Sequence, residues 1–227
     1  GLLEHFGKRV ESRSPLGPGA HLKWPWPIDQ VYRFRTEQIQ SFNVGFAPES
    51  AQERERYVLW SQGHPGETNF LVANRVQVAQ ETTNQVSGKR TPPVSLLTVS
   101  VPVQFQITNL VDWAYNNEDA PTLLEDLGTR EVVRFLVGVD MNDIMSQGRQ
   151  EGALVLAERI QAAANQHGLG TRIISVGLGD LHPPVKVAPD YEKVVAAIQT
   201  QQAKILAARA DDIRTNALAG AQAVRIL

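Results

Sequence analysis

The chain has 227 residues, enough for one or two domains with proper cores. Its net charge is −2 at neutral pH and no basic patch stands out, which argues against a nucleic-acid partner. It has no cysteine, which removes disulfides, thiol catalysis and thiolate metal sites, and no apolar run approaches the roughly 18–20 residues that span a bilayer.

Residues 1–46 read as β-rich. A strand begins at Leu3 to Phe6, and Gly7-Lys8-Arg9 reads as a turn. Ser14-Pro15-Leu16-Gly17-Pro18-Gly19 is a dense turn cluster. The segment His21 to Pro27 is held extended by its prolines. Its Trp24 and Trp26 fit either a membrane-interface belt or core anchors, and core anchoring is the commoner use of such residues. Gln30 to Phe46 then predicts one long alternating strand. Residues 47–93 are irregular: a charged run, short strands at Tyr57 to Trp60 and Phe70 to Val78, and a polar stretch through Thr91-Pro92-Pro93.

From Val94 to Thr108 the pattern is clear. Val99, Val101, Val103, Phe105 and Ile107 alternate on one face of a strand. Asn109 or Asp112 then caps a short helix holding Trp113 and Tyr115. A longer helix starts near Ala120-Pro121, with Leu124, Leu127, Val132, Phe135, Leu136 and Val139 on its buried face. Asp140 or Asn142 caps a short helix through Met145. Gln147 to Gln166 gives another helix, with Leu154, Leu156, Ala157, Ile160 and Ala164 expected inside. Gly168 and Gly170 stop it. Thr171 opens a strand with Ile174, Val176, Leu178 and Leu181 on its apolar face, and Pro183-Pro184 ends it.

From Pro189 no glycine occurs before Gly220 and no further proline occurs. That predicts roughly 38 residues of helix, about 57 Å long, which one small domain cannot cover. Val194, Ile198, Ile205 and Ile213 form its apolar stripe, with Tyr191, Val195 and Leu206 beside them. Gln201, Gln202, Arg209 and Asp212 interrupt the seam, so it is weaker than a two-stranded zipper. The pattern fits a helix packing side by side with copies of itself, and Val194, Ile198, Ile205 and Ile213 are the candidate oligomer-interface residues.

Catalytic patterns are missing. None of His5, His21, His64, His167 and His182 lies in an HExxH pair or at zinc spacing. There is no GxSxG elbow and no phosphate-binding GxxxxGK[ST] loop. Gly177-Leu178-Gly179 lacks the third glycine of a dinucleotide fingerprint. Asp140, Asn142 and Asp143 fit helix capping far better than an ion site. No catalytic, cofactor-binding or metal-binding residue is assigned.

Five segments in order carry a family resemblance: Glu4-His5-Phe6-Gly7, Gly19 to Val31 (GAHLKWPWPIDQV), Thr98 to Asn116, Thr129 to Glu151, and Val176 to Val194. On these the chain resembles the SPFH (band 7) superfamily of stomatin, prohibitin, flotillin and HflK/HflC, and within it the HflK branch. The stretch 57–93 departs from the shorter HflK pattern and reads as a surface insertion. The resemblance implies an α+β fold: an SPFH domain of two small α+β subdomains, 1–93 and 94–187, then the start of a coiled-coil-like helical rod over 188–227. It implies a non-enzymatic membrane-associated scaffold, with no cofactor, that oligomerises into a ring or cage. Its partners would be further copies or an HflC-like paralogue, an FtsH-like AAA+ membrane protease that it regulates, and the lipid bilayer. The bilayer would be reached through an N-terminal segment preceding Gly1, placing this region on the periplasmic side of a bacterial inner membrane. The alternative is a flotillin- or stomatin-like scaffold that organises a membrane microdomain without a protease partner.

Overall fold

The computed structural model describes residues 1–45, 68–73 and 94–226. The expected strand at Tyr57 to Trp60 and the surface insertion lie largely outside the described residues. The chain divides into two units, with the described part of the first ending at His182 and that of the second beginning at Pro183.

In the first unit, β1 (Leu2–His5) lies between β2 (Lys8–Arg9) and β3 (Asp29–Tyr32) in an antiparallel three-stranded sheet. Leu2, Leu3 and Asp29 are its buried residues. The β1–β2 connection is the two-residue turn Phe6-Gly7, with φ of 49° and 73°, so the turn falls earlier than Gly7-Lys8-Arg9 and Lys8-Arg9 is strand. Two positive φ values are what a tight hairpin needs to match strand twist.

The second sheet is built on β6 (Val94–Ile107), a 14-residue strand. β4 (Gln40–Gly45) and β5 (Asn69–Ala73) pair with successive stretches of it, as do β7 (Thr171–Val176) and β8 (Gly179–His182). Residues 103 to 105 are paired on both sides, with β4 and with β7. The expected long strand from Gln30 to Phe46 is therefore two strands in different sheets. The second sheet also draws strands from both sides of position 93, where the sequence reading put a subdomain boundary. Such pairing is non-local and leaves no periodic trace in the chain.

Leu97, Val99, Val101, Val103, Phe105 and Ile107 alternate into the core, all buried. Against the sheet pack α1 (Leu110–Tyr115), through Trp113 on Phe105, α2 (Ala120–Gly138), over β4 and β5, and α4 (Gly148–Gln166), over β7, while α3 (Met141–Met145) packs on α4. Leu124, Leu127, Val132, Phe135 and Leu136 are buried on α2, and Leu156, Ile160 and Ala164 on α4. Val139 is the residue that ends α2 and is only half-buried. Leu154 is exposed: the inward row of α4 runs Gly152, Leu156, Ile160, Ala164 in steps of four, and Leu154 lies off that row.

The expected face of the Thr171 strand also changes. Gln104 pairs with Ser175 but Phe105 pairs with Ile173, so Ile174 is an extra, bulged residue. The bulge turns Ile173 and Val176 toward the sheet's inner side and leaves Ile174 exposed. The strand then breaks at Gly177-Leu178. Pro102 of β6 sits opposite this break, just past the last β6–β7 pair, Val103 with Val176. Its carbonyl still accepts from Gly177 N at 2.9 Å.

The second unit contains α5 (Ala188–Ile226), 39 residues of continuous helix. Pro189 stands in its first turn, where its absent N–H costs nothing.

Candidate functional site

The polar residues singled out in the sequence sit at helix ends and act as caps. Asn109 caps α1, its Oδ1 accepting from Val111 N at 3.1 Å and Asp112 N at 3.4 Å. Asp119 caps α2, accepting from Thr122 N at 3.2 Å and Thr122 Oγ1 at 2.6 Å. The Thr122 hydroxyl, and then its amide, hold the Asp119 carboxyl below the usual carboxylate range. Asp140 caps α3 through Asn142 N at 2.9 Å. Capping, rather than an ion, accounts for the Asp140–Asp143 cluster.

The histidines are dispersed. His5 Nδ1 lies 2.6 Å from Asp29 Oδ1, His21 Nε2 lies 3.0 Å from Gly17 O, His167 ends α4, and His182 is buried at the end of β8. His64 falls outside the described residues. Among the described residues no group of three His, Asp or Glu side chains could hold a metal. Gly177-Leu178-Gly179 leads into strand β8, not a helix N-terminus, and a Cβ on Gly177 would press on the Pro102 ring at 3.1 Å. The first glycine serves close backbone packing.

Two polar contacts stand out in the small sheet. Asp29 is buried at the start of β3 and accepts from His5 and from Trp24 N at 2.8 Å. The His5 hydrogen bond, then that of the Trp24 amide, draw its carboxyl below its ordinary value against the opposing cost of burial. Tyr115 of α1 donates to Glu4 Oε1 of β1 at 3.0 Å, with the Arg9 guanidinium 5.9 Å from its ring centre. Burial, then the Glu4 hydrogen bond, push the Tyr115 phenol up to about 12. The Asp29 contacts brace the three-stranded sheet internally, and the Tyr115 contacts tie it to α1.

The candidate interface residues Val194, Ile198, Ile205 and Ile213 all lie on α5 and are 46–68 % exposed. From Glu192 to Gln222 every residue except the half-buried Val195 is exposed. At 100° per residue, Val194, Ile198 and Ile205 share one narrow stripe, and Ile213 lies at its edge beside Val195 and Leu206. Lys193–Asp190 and Arg214–Asp211 are ion pairs within one turn, at 2.9 and 3.0 Å. Trp24 and Trp26, read as core anchors, are exposed instead. Among the described residues no helix is long and apolar enough to cross a membrane.

An α+β unit with a small three-stranded sheet and a larger sheet strung on one long strand, followed by a long helix exposed over most of its length, is the arrangement of an SPFH domain. The chain belongs to the SPFH domain / Band 7 family, which matches residues 1–212, so the match takes in the folded unit and over half of α5. It is similar to protein HflK of Treponema pallidum (strain Nichols), with 24 % identity over 205 residues, or 88 % of this chain and 53 % of that protein. The chain thus spans about half the length of the curated relative it matches.

Proposed function

We propose that this chain is part of a non-enzymatic, membrane-associated scaffold of the HflK type. Copies of it, or copies alternating with an HflC-like paralogue, assemble into a ring or cage that encloses an FtsH-like AAA+ protease and restrains access to it. The observation that carries this reading is the apolar stripe of α5, exposed along a 39-residue helix in a Band 7 chain. Exposed apolar residues at helical spacing gain from burial against a like surface, at about 25 cal/mol per Å² removed from water. One such contact is weak because Gln202, Arg209 and Asp212 interrupt it. Repetition around a closed ring multiplies it. Val194, Ile198, Ile205 and Ile213 form the seam between neighbouring copies, and the bilayer anchor lies in a segment preceding Gly1.

The test is extraction of the full-length protein from its membrane in mild detergent, with mass spectrometry of what accompanies it. A large particle containing an HflC-like paralogue and an AAA+ metalloprotease is the expected result. A large particle of this protein and lipid alone would remove the protease role and leave a stomatin- or flotillin-like scaffold. A monomer would remove both.

A further inference from the structure

Strand β7 lies at an edge of the larger sheet. It pairs with β6 on one side, and among the described residues no strand pairs with its other side. Its sequence, TRIISV, is rich in β-branched residues, carries one charge and has no proline. An open edge of that composition is a template for a strand of another molecule.

Helix α4 reaches across this edge. It leads into β7 through the short connection from His167 to Gly170 and packs along it. Gln161 is half-buried where the two meet. Its Oε1 accepts from Ile173 N at 2.7 Å and its Nε2 donates to Thr171 O at 2.9 Å. These backbone groups flank Arg172, which itself pairs with Gln106 of β6. A side-chain amide carries the same donor and acceptor as a peptide group. Gln161 therefore makes, opposite Arg172, the two bonds that a residue of a neighbouring strand would make. Nε2 also donates to Asn165 Oδ1 at 2.8 Å, one turn further along α4, which gives the amide a single orientation.

The rest of the edge is guarded by other means. Arg172 is exposed beside the Gln161 amide, and the bulged Ile174 interrupts the regular run just beyond it. Charges and bulges are the usual ways of keeping an open edge from pairing.

We propose that Gln161 is an edge plug, a side chain that occupies the open side of β7 and keeps the sheet of one copy from pairing with the sheet of another. A strand arriving at Arg172 must first break both Gln161 bonds. It then exchanges two bonds for two, and the cost of ordering the incoming backbone is left without compensation. With the plug removed, Thr171 O and Ile173 N are free to bond and the same encounter is favourable. The device matters most where copies stand side by side at high local concentration, as in the proposed ring, but it does not rest on that reading.

The experiment uses the 227-residue chain carrying Ile198→Asp and Ile205→Asp, so that contacts along α5 do not contribute. Gln161→Met keeps the length of the side chain and removes both bonds. In that variant the Ile173 amide should exchange with solvent about tenfold faster, the effect of one lost hydrogen bond, as read by nuclear magnetic resonance at low concentration. Sedimentation velocity at rising concentration should show the variant associating where the plugged chain stays monomeric. Adding Ile174→Lys, a charge at an exposed position on the same strand, should return it to monomer. Gln161→Glu keeps the bond from Ile173 but sets two acceptors against each other at Thr171. It should fall between the two, and it carries the test if circular dichroism shows that Gln161→Met does not hold its fold. The proposal is overturned if the folded, unplugged chain stays monomeric, if Ile173 exchanges at its former rate, or if Ile174→Lys leaves the association unchanged. None of these results depends on which proteins accompany the full-length protein, so the plug and the protease scaffold stand or fall separately.

Discussion

Asp29 is a carboxylate out of contact with water whose two acceptor contacts, from His5 and the Trp24 amide, both favour the charged form. Its carboxyl therefore titrates lower in the folded chain than in the unfolded one. Stability from this group is complete above the unfolded carboxylate value, 3.8, and is lost as pH falls through the lowered folded value. Asp29→Asn should lower the melting temperature at neutral pH, with the gap to the parent chain closing in strong acid. Thermal melts across that range check it, and a gap independent of pH would assign the role to shape rather than charge. Tyr115 is different: its phenol is pushed up to about 12 and stays protonated from acid to neutral pH, so Tyr115→Phe should lower the melting temperature at neutral pH by removing the hydrogen bond to Glu4 rather than by removing a charge. Single residues were only partly legible in the sequence. The caps were legible to within two candidates each, Asn109 or Asp112 and Asp140 or Asn142, and the structure selects Asn109 and Asp140. The buried Asp29 was not legible, because nothing local shows that His5 and Trp24 close over it. Trp24 and Trp26 were misread for a related reason. Indole is large and apolar enough to suggest a core, while its exposure depends on what folds over it.

At the scale of elements, β6 and α2 were readable because each repeats its own period long enough to be unambiguous. The Thr171 strand was not, since a bulge at Ile174 shifts its inward face by one residue, and no residue type announces a bulge. The same packing predicts where the helices are least tolerant. Ile160 of α4 is wholly buried, so Ile160→Ala leaves a hole that neighbours cannot fill and should cost about 2–5 kcal/mol of unfolding free energy in denaturant titration. Gly170 joins β6, α1 and β7. Its carbonyl accepts from Thr108 N and Asn109 N at 2.9 and 2.8 Å, its φ is +61°, and a Cβ would come within 2.5 Å of Asn109 O. Gly170→Ala should therefore destabilise the chain despite adding a single methyl group. An unchanged melting temperature would show that this junction can shift.

For the molecule as a whole, the two units should lose structure differently. The unit ending at His182 has a contiguous core and should unfold cooperatively. Helix α5 has alanines and one-turn ion pairs in its favour, but from Glu192 to Gln222 it is exposed almost throughout. Helices with little buried area rely on propensity alone and melt broadly. Circular dichroism of the 227-residue chain should show a gradual, early loss of helicity from α5, then a sharp transition from the core. If Ile198 and Ile205 lie at a seam between copies, the early phase should move to higher temperature as concentration rises. Ile198→Asp with Ile205→Asp should abolish that shift without moving the sharp transition. Charge on an exposed stripe costs the monomer little, whereas charge buried between two helices without a partner costs an assembly several kcal/mol per site, on the order of the whole contact. A single transition at every concentration, shifted by the aspartate changes, would mean that the stripe is covered within one chain, and the seam would have to be sought elsewhere.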